Sequence, residues 1–163
     1  MTPRTETGTD PRTNCTLPSS CGVTAPQGSF GDGFNQQGGG VWAVQVYTSG
    51  VRAWYFPRNA VPAGVTAANP DPSQWGTPLM DFVAQNCNVE QAFQQMKIIF
   101  NIDFCGSNAG GPVSDPNQNW NGFSRCGQTT GVSSCSAYVG ANPEVFSEAY
   151  FLVNYVKTFT GQP

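Results

Sequence analysis

Two runs rich in aromatic and β-branched residues, 41–47 (VWAVQVY) and 51–56 (VRAWYF), stand only three residues apart. Apolar side chains of this kind pack well on a pleated surface, and so short a connection forces the two runs together as an antiparallel hairpin. Thr48, Ser49 and Gly50 supply the turn, with glycine available for a left-handed conformation. In the first run Trp42, Val44 and Val46 share a face, and in the second Arg52, Trp54 and Phe56 do. Both faces of both runs carry apolar residues, as expected of strands buried inside a sandwich.

The surrounding composition agrees with a chain of strands and turns. Only 10% of its 163 residues are charged, against about 25% in an ordinary globular domain. Glycine (19) and proline (13) are abundant, which disfavours long helices. Aromatics at 12% supply the apolar surface that a disordered segment lacks. Residues 1–29 have no periodicity and read as loop. A long Pro/Gly-rich connection runs from 57 to 78, and a short helix capped by Asn88 continues to Met96. Residues 97–104 (KIIFNIDF) form the strongest strand, 112–134 read as a polar loop, and a helix starts at Pro143 and ends near Tyr150. The closing strand is 151–159 (FLVNYVKTF). With two small helices and no alternation of strand and helix, the fold class is an all-β sandwich.

Several chemistries are excluded by residue counts. The chain has no histidine, which removes Ser-His-Asp and Cys-His nucleophiles and His-ligated metals. No C-x-x-C occurs, so neither a metal nor a cofactor is expected. Its seven basic residues are scattered and the net charge is −3, leaving nucleic acid no basic track to bind. No apolar run nears the ~20 residues that span a membrane. The six cysteines, Cys15, Cys21, Cys87, Cys105, Cys126 and Cys135, read as three disulfides formed in an oxidising, extracellular compartment. Local spacing favours Cys15–Cys21 and Cys126–Cys135, leaving Cys87–Cys105, with buried free thiols as the alternative. Asn14-Cys15-Thr16 is a glycosylation sequon, and any export signal lies outside this sequence.

Three segments together resemble the C-terminal part of fungal laminarinase-like endo-β-1,3(4)-glucanases of glycoside hydrolase family 16. They are 31–43 (GDGFNQQGGGVWA), 54–58 (WYFPR) and 98–110 (IIFNIDFCGSNAG), supported by 70–78 (PDPSQWGTP). The resemblance implies a β-jelly-roll (concanavalin-like) sandwich, present here as an incomplete C-terminal part over 14–163 behind an irregular segment 1–13. It implies a β-glucan polysaccharide as partner and a monomer when complete. An incomplete jelly roll leaves apolar faces and strand edges uncovered.

Such hydrolases carry nucleophile and general acid on one strand, in a Glu-x-Asp-x-x-Glu pattern. Alternation places the acids on one face about 5 Å apart, the retaining geometry. None of the ten acids of this chain falls in that pattern. No catalytic residue is therefore assigned, and the chain is expected to be a truncated, inactive piece of a hydrolase. Glu144 and Glu148, four apart on the helix expected there, are read as solvated acids near a helix start.

Candidate glucan-contacting residues follow the resemblance. Asn101 and Asp103 share the face expected to be concave, where they either bond sugar hydroxyls or simply wet the sheet. In 105–110 (CGSNAG) relatives carry a tryptophan where Asn108 stands, preceded here by Ser107, so a stacking platform is replaced by an amide. Trp120 either compensates from the next loop or anchors it. Asp32 and Asn35 either reach a ligand or shape the glycine-rich turn, and Trp42, Trp54 and Trp75 are read as packing residues. Two readings compete with a hydrolase fragment: a non-catalytic β-glucan-binding module and a small disulfide-rich structural domain.

Overall fold

The computed structural model describes residues 7–12, 22–84, 87–105, 126–132 and 134–161. It divides into two units, Met1–Met96 with Lys157–Pro163 and Lys97–Val156. The first unit opens with β1 (Thr9–Arg12), paired antiparallel with β2 (Gly22–Thr24) across an irregular register. This replaces the loop expected over 1–29. Asp10 and Pro11 are poor strand formers, and they are accommodated because the two-stranded ladder is short and broken.

A short helix, α1 (Gly31–Gln36), leads into β3 (Gly40–Tyr47) and β4 (Gly50–Pro57), which pair residue for residue from Gly40↔Pro57 to Tyr47↔Gly50. The expected hairpin is present. Thr48 and Ser49 alone make the turn, and Gly50 does not adopt positive φ. Glycine is needed there for another reason: a Cβ would lie 2.3 Å from the Phe82 carbonyl oxygen and 2.8 Å from the Tyr47 hydroxyl. A third strand, β5 (Met80–Val83), runs antiparallel to β4, giving the order β3-β4-β5. The amides of Thr7 and Gly8 donate to Pro78 and Leu79, tying the start of the described chain to the approach to β5.

One face of this sheet carries the buried cluster. Trp54 (3% exposed), Phe56 and Val65 form the buried cluster, against which Val41, Ala43, Val61 and Trp75 pack. The expected long connection folds back over the face through three 3-10 turns, Arg58–Ala60, Ala63–Val65 and Pro72–Gln74. Asp71 sets the last of these by accepting from the Ser73 amide at 3.0 Å. Hydrogen bonds from the Ser73 hydroxyl and then its amide hold the Asp71 carboxyl below the usual aspartate range. Trp75 meets Trp54 edge-on at 5.2 Å, and the Trp54 indole N–H donates to the Gly76 carbonyl at 3.1 Å. The opposite face is buried only in part, contrary to the sequence expectation: Ala53 is buried and Tyr55 half-buried there, whereas Trp42, Val44 and Val46 are exposed.

α2 (Val89–Ala92) begins at the expected cap, with Asn88 accepting from the Gln91 amide at 3.0 Å. It stops four residues before Met96, and Gln95 at φ +52 has left the right-handed helix region altogether. In the second unit, α3 (Cys126–Thr130) and α4 (Cys135–Ala141) are followed by a 3-10 turn, Pro143–Phe146. The helix expected to reach Tyr150 is thus a single tight turn. Residues 97–104 and 151–159 form no ladder among the described residues, contrary to both strand assignments. Composition supplies propensity, but a strand exists only with a neighbour to bond. The two segments meet through Phe100 and Phe151, ring centres 5.8 Å apart, and Phe104 packs on Phe146 at 4.7 Å.

The disulfide expectation is corrected. Cys105 is bonded to Cys135 across 30 residues, so neither Cys126–Cys135 nor Cys87–Cys105 forms, and Cys87 is an exposed free thiol. The short spacing between Cys126 and Cys135 misled because the two begin separate helices, α3 and α4. Cys15 and Cys21 lie outside the described residues.

Two measurements check this packing. Trp54→Ala should cost about 3–5 kcal/mol in denaturant unfolding, through the cavity beneath Trp75 and the orphaned Gly76 carbonyl, whereas Trp42→Ala should cost far less. Non-reducing peptide mapping should recover a Cys105–Cys135 link while Cys87 alkylates without reductant. Opening that link should cost about 3–4 kcal/mol by the loop-closure estimate.

Candidate functional site

The glycine-rich lead-in is built around carbonyls held by long side chains. The Tyr55 hydroxyl donates to the Gly28 carbonyl at 2.8 Å, and the Gln37 amide donates to Gly33 at 2.9 Å and Gly28 at 3.3 Å. Arg58 clamps the far end, its guanidinium Nε–H donating to the Gly38 carbonyl and its backbone amide to Gly39 at 3.1 Å. Gly38 and Gly39, at φ +74 and +91, make the reversal that lets the chain leave α1 and enter β3. Asp32 and Asn35 therefore stand on a helix, not in the expected loop, one turn apart and exposed.

Asn101 and Asp103 lie in the second unit, both exposed, on the segment that pairs with no strand among the described residues. Their spacing of two residues is as expected, but among the described residues no sheet is formed there. Flanking them, Ile98, Ile99, Phe100 and Ile102 are exposed as well. Ser107, Asn108 and Trp120 fall outside the described residues. Trp54 and Trp75 are packing residues as read, while Trp42 stacks on Tyr55 at 5.2 Å with one side open.

No acid pair of the retaining kind comes together among the residues weighed for it. Glu144 sits in the first turn of the 3-10 segment, and Glu148 lies beyond its end. At three residues per turn, positions four apart do not share a face, so the pair loses the alignment that an α-helix would have provided.

The best organised acid is one the sequence did not single out. Gln45, Arg52 and Asp81 stand opposite one another on β3, β4 and β5. The Arg52 Nε lies 3.2 Å from the Asp81 carboxylate, and its guanidinium carbon is 4.5 Å from the Tyr47 ring centre. The Tyr47 hydroxyl donates to the same carboxylate at 3.0 Å. A guanidinium and a phenol beside one carboxylate are not the couple of acids that a retaining glycosidase needs. The opposite charges of Arg52 and Asp81 are a signal only once β5 is aligned with β4.

The sequence profile of the XgeA-like catalytic domain of glycoside hydrolase family 16 matches residues 2–159. A probable glycosidase of Schizosaccharomyces pombe is 36% identical over 163 residues, covering 96% of this chain and 36% of that protein. The endo-1,3(4)-beta-glucanase xgeA of Emericella nidulans is 39% identical over 146 residues, 85% of this chain and 21% of its own length. The chain thus spans about a third and about a fifth of these two relatives. Among solved structures, laminarinase 16A from Phanerochaete chrysosporium, with 6-O-glucosyl-laminaritriose in donor and acceptor sites, aligns with a TM-score of 0.57. The alignment is 30% identical and covers 80% of this chain and 42% of that one. An elongating family 16 β-1,3-glucosyltransferase aligns with a TM-score of 0.50 at 38% identity, over 55% of this chain and 31% of its own.

The Tyr47 cluster predicts an alkaline limb of stability. Burial first, then the hydrogen bond to Asp81, raises the Tyr47 hydroxyl above its ordinary value, and burial alone raises Tyr55. A group whose folded value is raised contributes fully below its unfolded value, about 10 for tyrosine, and loses that contribution as pH climbs through the folded one. Melting temperature should therefore fall above about pH 10, and Tyr47→Phe should flatten part of the fall, leaving the share due to Tyr55. An unchanged limb in Tyr47→Phe would contradict the assignment.

Proposed function

Because the chain belongs to the XgeA-like group of glycoside hydrolase family 16, we propose that it serves a β-glucan-acting domain as a sugar-contacting part and hydrolyses nothing by itself. The observation that carries this reading is the want of a paired acid. Retaining hydrolysis needs one carboxylate to attack the anomeric carbon while a second, about 5 Å away, protonates the leaving oxygen. No Glu-x-Asp-x-x-Glu occurs in the sequence, and Glu144 and Glu148 are not aligned on a helix.

The substrate class is a β-1,3/β-1,4-glucan, supported by the relatives named as endo-1,3(4)-beta-glucanases and by the laminarinase holding a glucan oligosaccharide. In this reading the antiparallel strands belong to a jelly-roll sandwich, and Asn101 and Asp103 offer amide and carboxylate oxygens to sugar hydroxyls. Ser107, Asn108, Trp120, Asp32 and Asn35 are the other candidate glucan contacts of this reading. An extracellular location accords with the Cys105–Cys135 disulfide, a bond that persists in oxidising compartments. The alternative is a module that holds glucan without any part in turnover, and it differs from the first reading only when the rest of a domain is present.

The test is laminarin and lichenan given to the pure chain, followed by reducing-end release and by calorimetric binding. No release above buffer is expected, with laminarin binding that weakens several-fold in Asn101→Ala. Release of sugar by the pure chain would overturn the reading, as would binding indifferent to Asn101.

A further inference from the structure

We propose that residues 97–103 (KIIFNID) form an antiparallel strand pair with the same residues of a second copy of this chain, centred on Phe100. The inference does not depend on the glucan-binding reading.

The segment has what a strand needs except a neighbour. Ile98, Ile99, Phe100 and Ile102 are 60%, 76%, 55% and 40% exposed, and Lys97, Asn101 and Asp103 are exposed with them. The run is rich in β-branched and aromatic residues and holds neither proline nor glycine. No strand pairs with it among the described residues. Exposed runs of this length and composition pair readily with other chains.

The order of the residues identifies the occupant. Directly opposed residues of an antiparallel pair lie on one face and interact. When two copies of 97–103 run in opposite directions about Phe100, each Lys97 stands opposite an Asp103. Ile98 then opposes Ile102, Ile99 opposes Asn101, and Phe100 opposes its own counterpart. One face of the pair is entirely apolar, with Ile98, Phe100 and Ile102 from both copies, and the other carries an ion pair at each end. A slip of one residue mixes the two faces, and a slip of one or two in either direction parts Lys97 from Asp103. A parallel, in-register pair stacks lysine on lysine and aspartate on aspartate.

The chain's other run of strand composition, 151–159 (FLVNYVKTF), holds no acid to meet Lys97. It touches the segment through Phe151, whose ring lies 5.8 Å from that of Phe100. The two-fold pairing therefore gathers four aromatic rings beside its axis, more than an isolated two-stranded ribbon has to hold it together.

The experiment is sedimentation of the pure chain over a range of concentrations, alongside two variants. The unsubstituted chain is expected to dimerise, with the amides of 97–103 becoming protected from hydrogen exchange as concentration rises. Lys97→Asp and Asp103→Lys should each weaken the dimer at least tenfold, because each sets like charges opposite one another at both ends. Mixed one to one, the two variants should regain the unsubstituted affinity, since the charges at both ends are then complementary again. A monomer at every concentration overturns the proposal, as does a dimer whose 97–103 amides exchange as fast as in the monomer. Variants that melt like the unsubstituted chain yet stay apart when mixed overturn it too, and so do larger aggregates indifferent to the charge exchange.

Discussion

The residue-for-residue register between β3 and β4 is the constraint on which the described structure of the first unit depends. Side chains alternate along a strand, so a slip of one position would move every residue to the opposite face. In the observed register Trp54 and Phe56 fall under the returning segment with Val65 and Trp75, and Gln45 and Arg52 fall in line with Asp81. Gly50 holds the register in place, since any side chain there would collide with the Phe82 carbonyl on β5. The indole of Trp54 then locks the covering segment by its bond to Gly76, so one ladder fixes both layers.

That dependence explains what the sequence made legible. The hairpin could be read because its signal is local: two β-rich runs and too few residues between them for any other connection. The Asn88 cap and the proline at the start of the 143–146 turn could be read for the same reason, each being a preference of one or two residues. What failed was everything that needed a distant partner. Residues 97–104 and 151–159 have strand composition but no ladder among the described residues, and β1 has a ladder despite Asp10 and Pro11. The Cys105–Cys135 bond joins residues 30 apart, where spacing in sequence says little. α4 carries a local signal as well: Ser134 stands at its cap and accepts from the Ala137 amide, ahead of an alanine-containing turn.

The candidate site was legible to a different degree. Residue types and order were enough to place the chain in its family, and the residue counts excluded histidine chemistry outright. Position was not recoverable. Asp32 and Asn35 moved from a loop to a helix, and Asn101 and Asp103 kept their spacing but stand on no sheet among the described residues. A sugar-binding surface is a property of assembled strands, and the side chains that would line it acquire their direction only from neighbours. The Tyr47–Asp81–Arg52 cluster makes the same point in reverse, because three strands had to be aligned before the carboxylate met the phenol and the guanidinium.

The two-residue turn between Tyr47 and Gly50 also bears on the order in which this fold can arise. Contacts between neighbours along the chain cost the least loop entropy, and hairpins close within about 1–10 μs. β3 and β4 can thus zip before Trp75 arrives from further along the chain, leaving a two-stranded ribbon with Trp42 on one side and Trp54 on the other. Such a ribbon is marginal until something settles on it, and the segment ending at Gly76 is the nearest material able to do so. Folding of this unit is then a local event followed by a capture, with the indole–carbonyl bond as its latch.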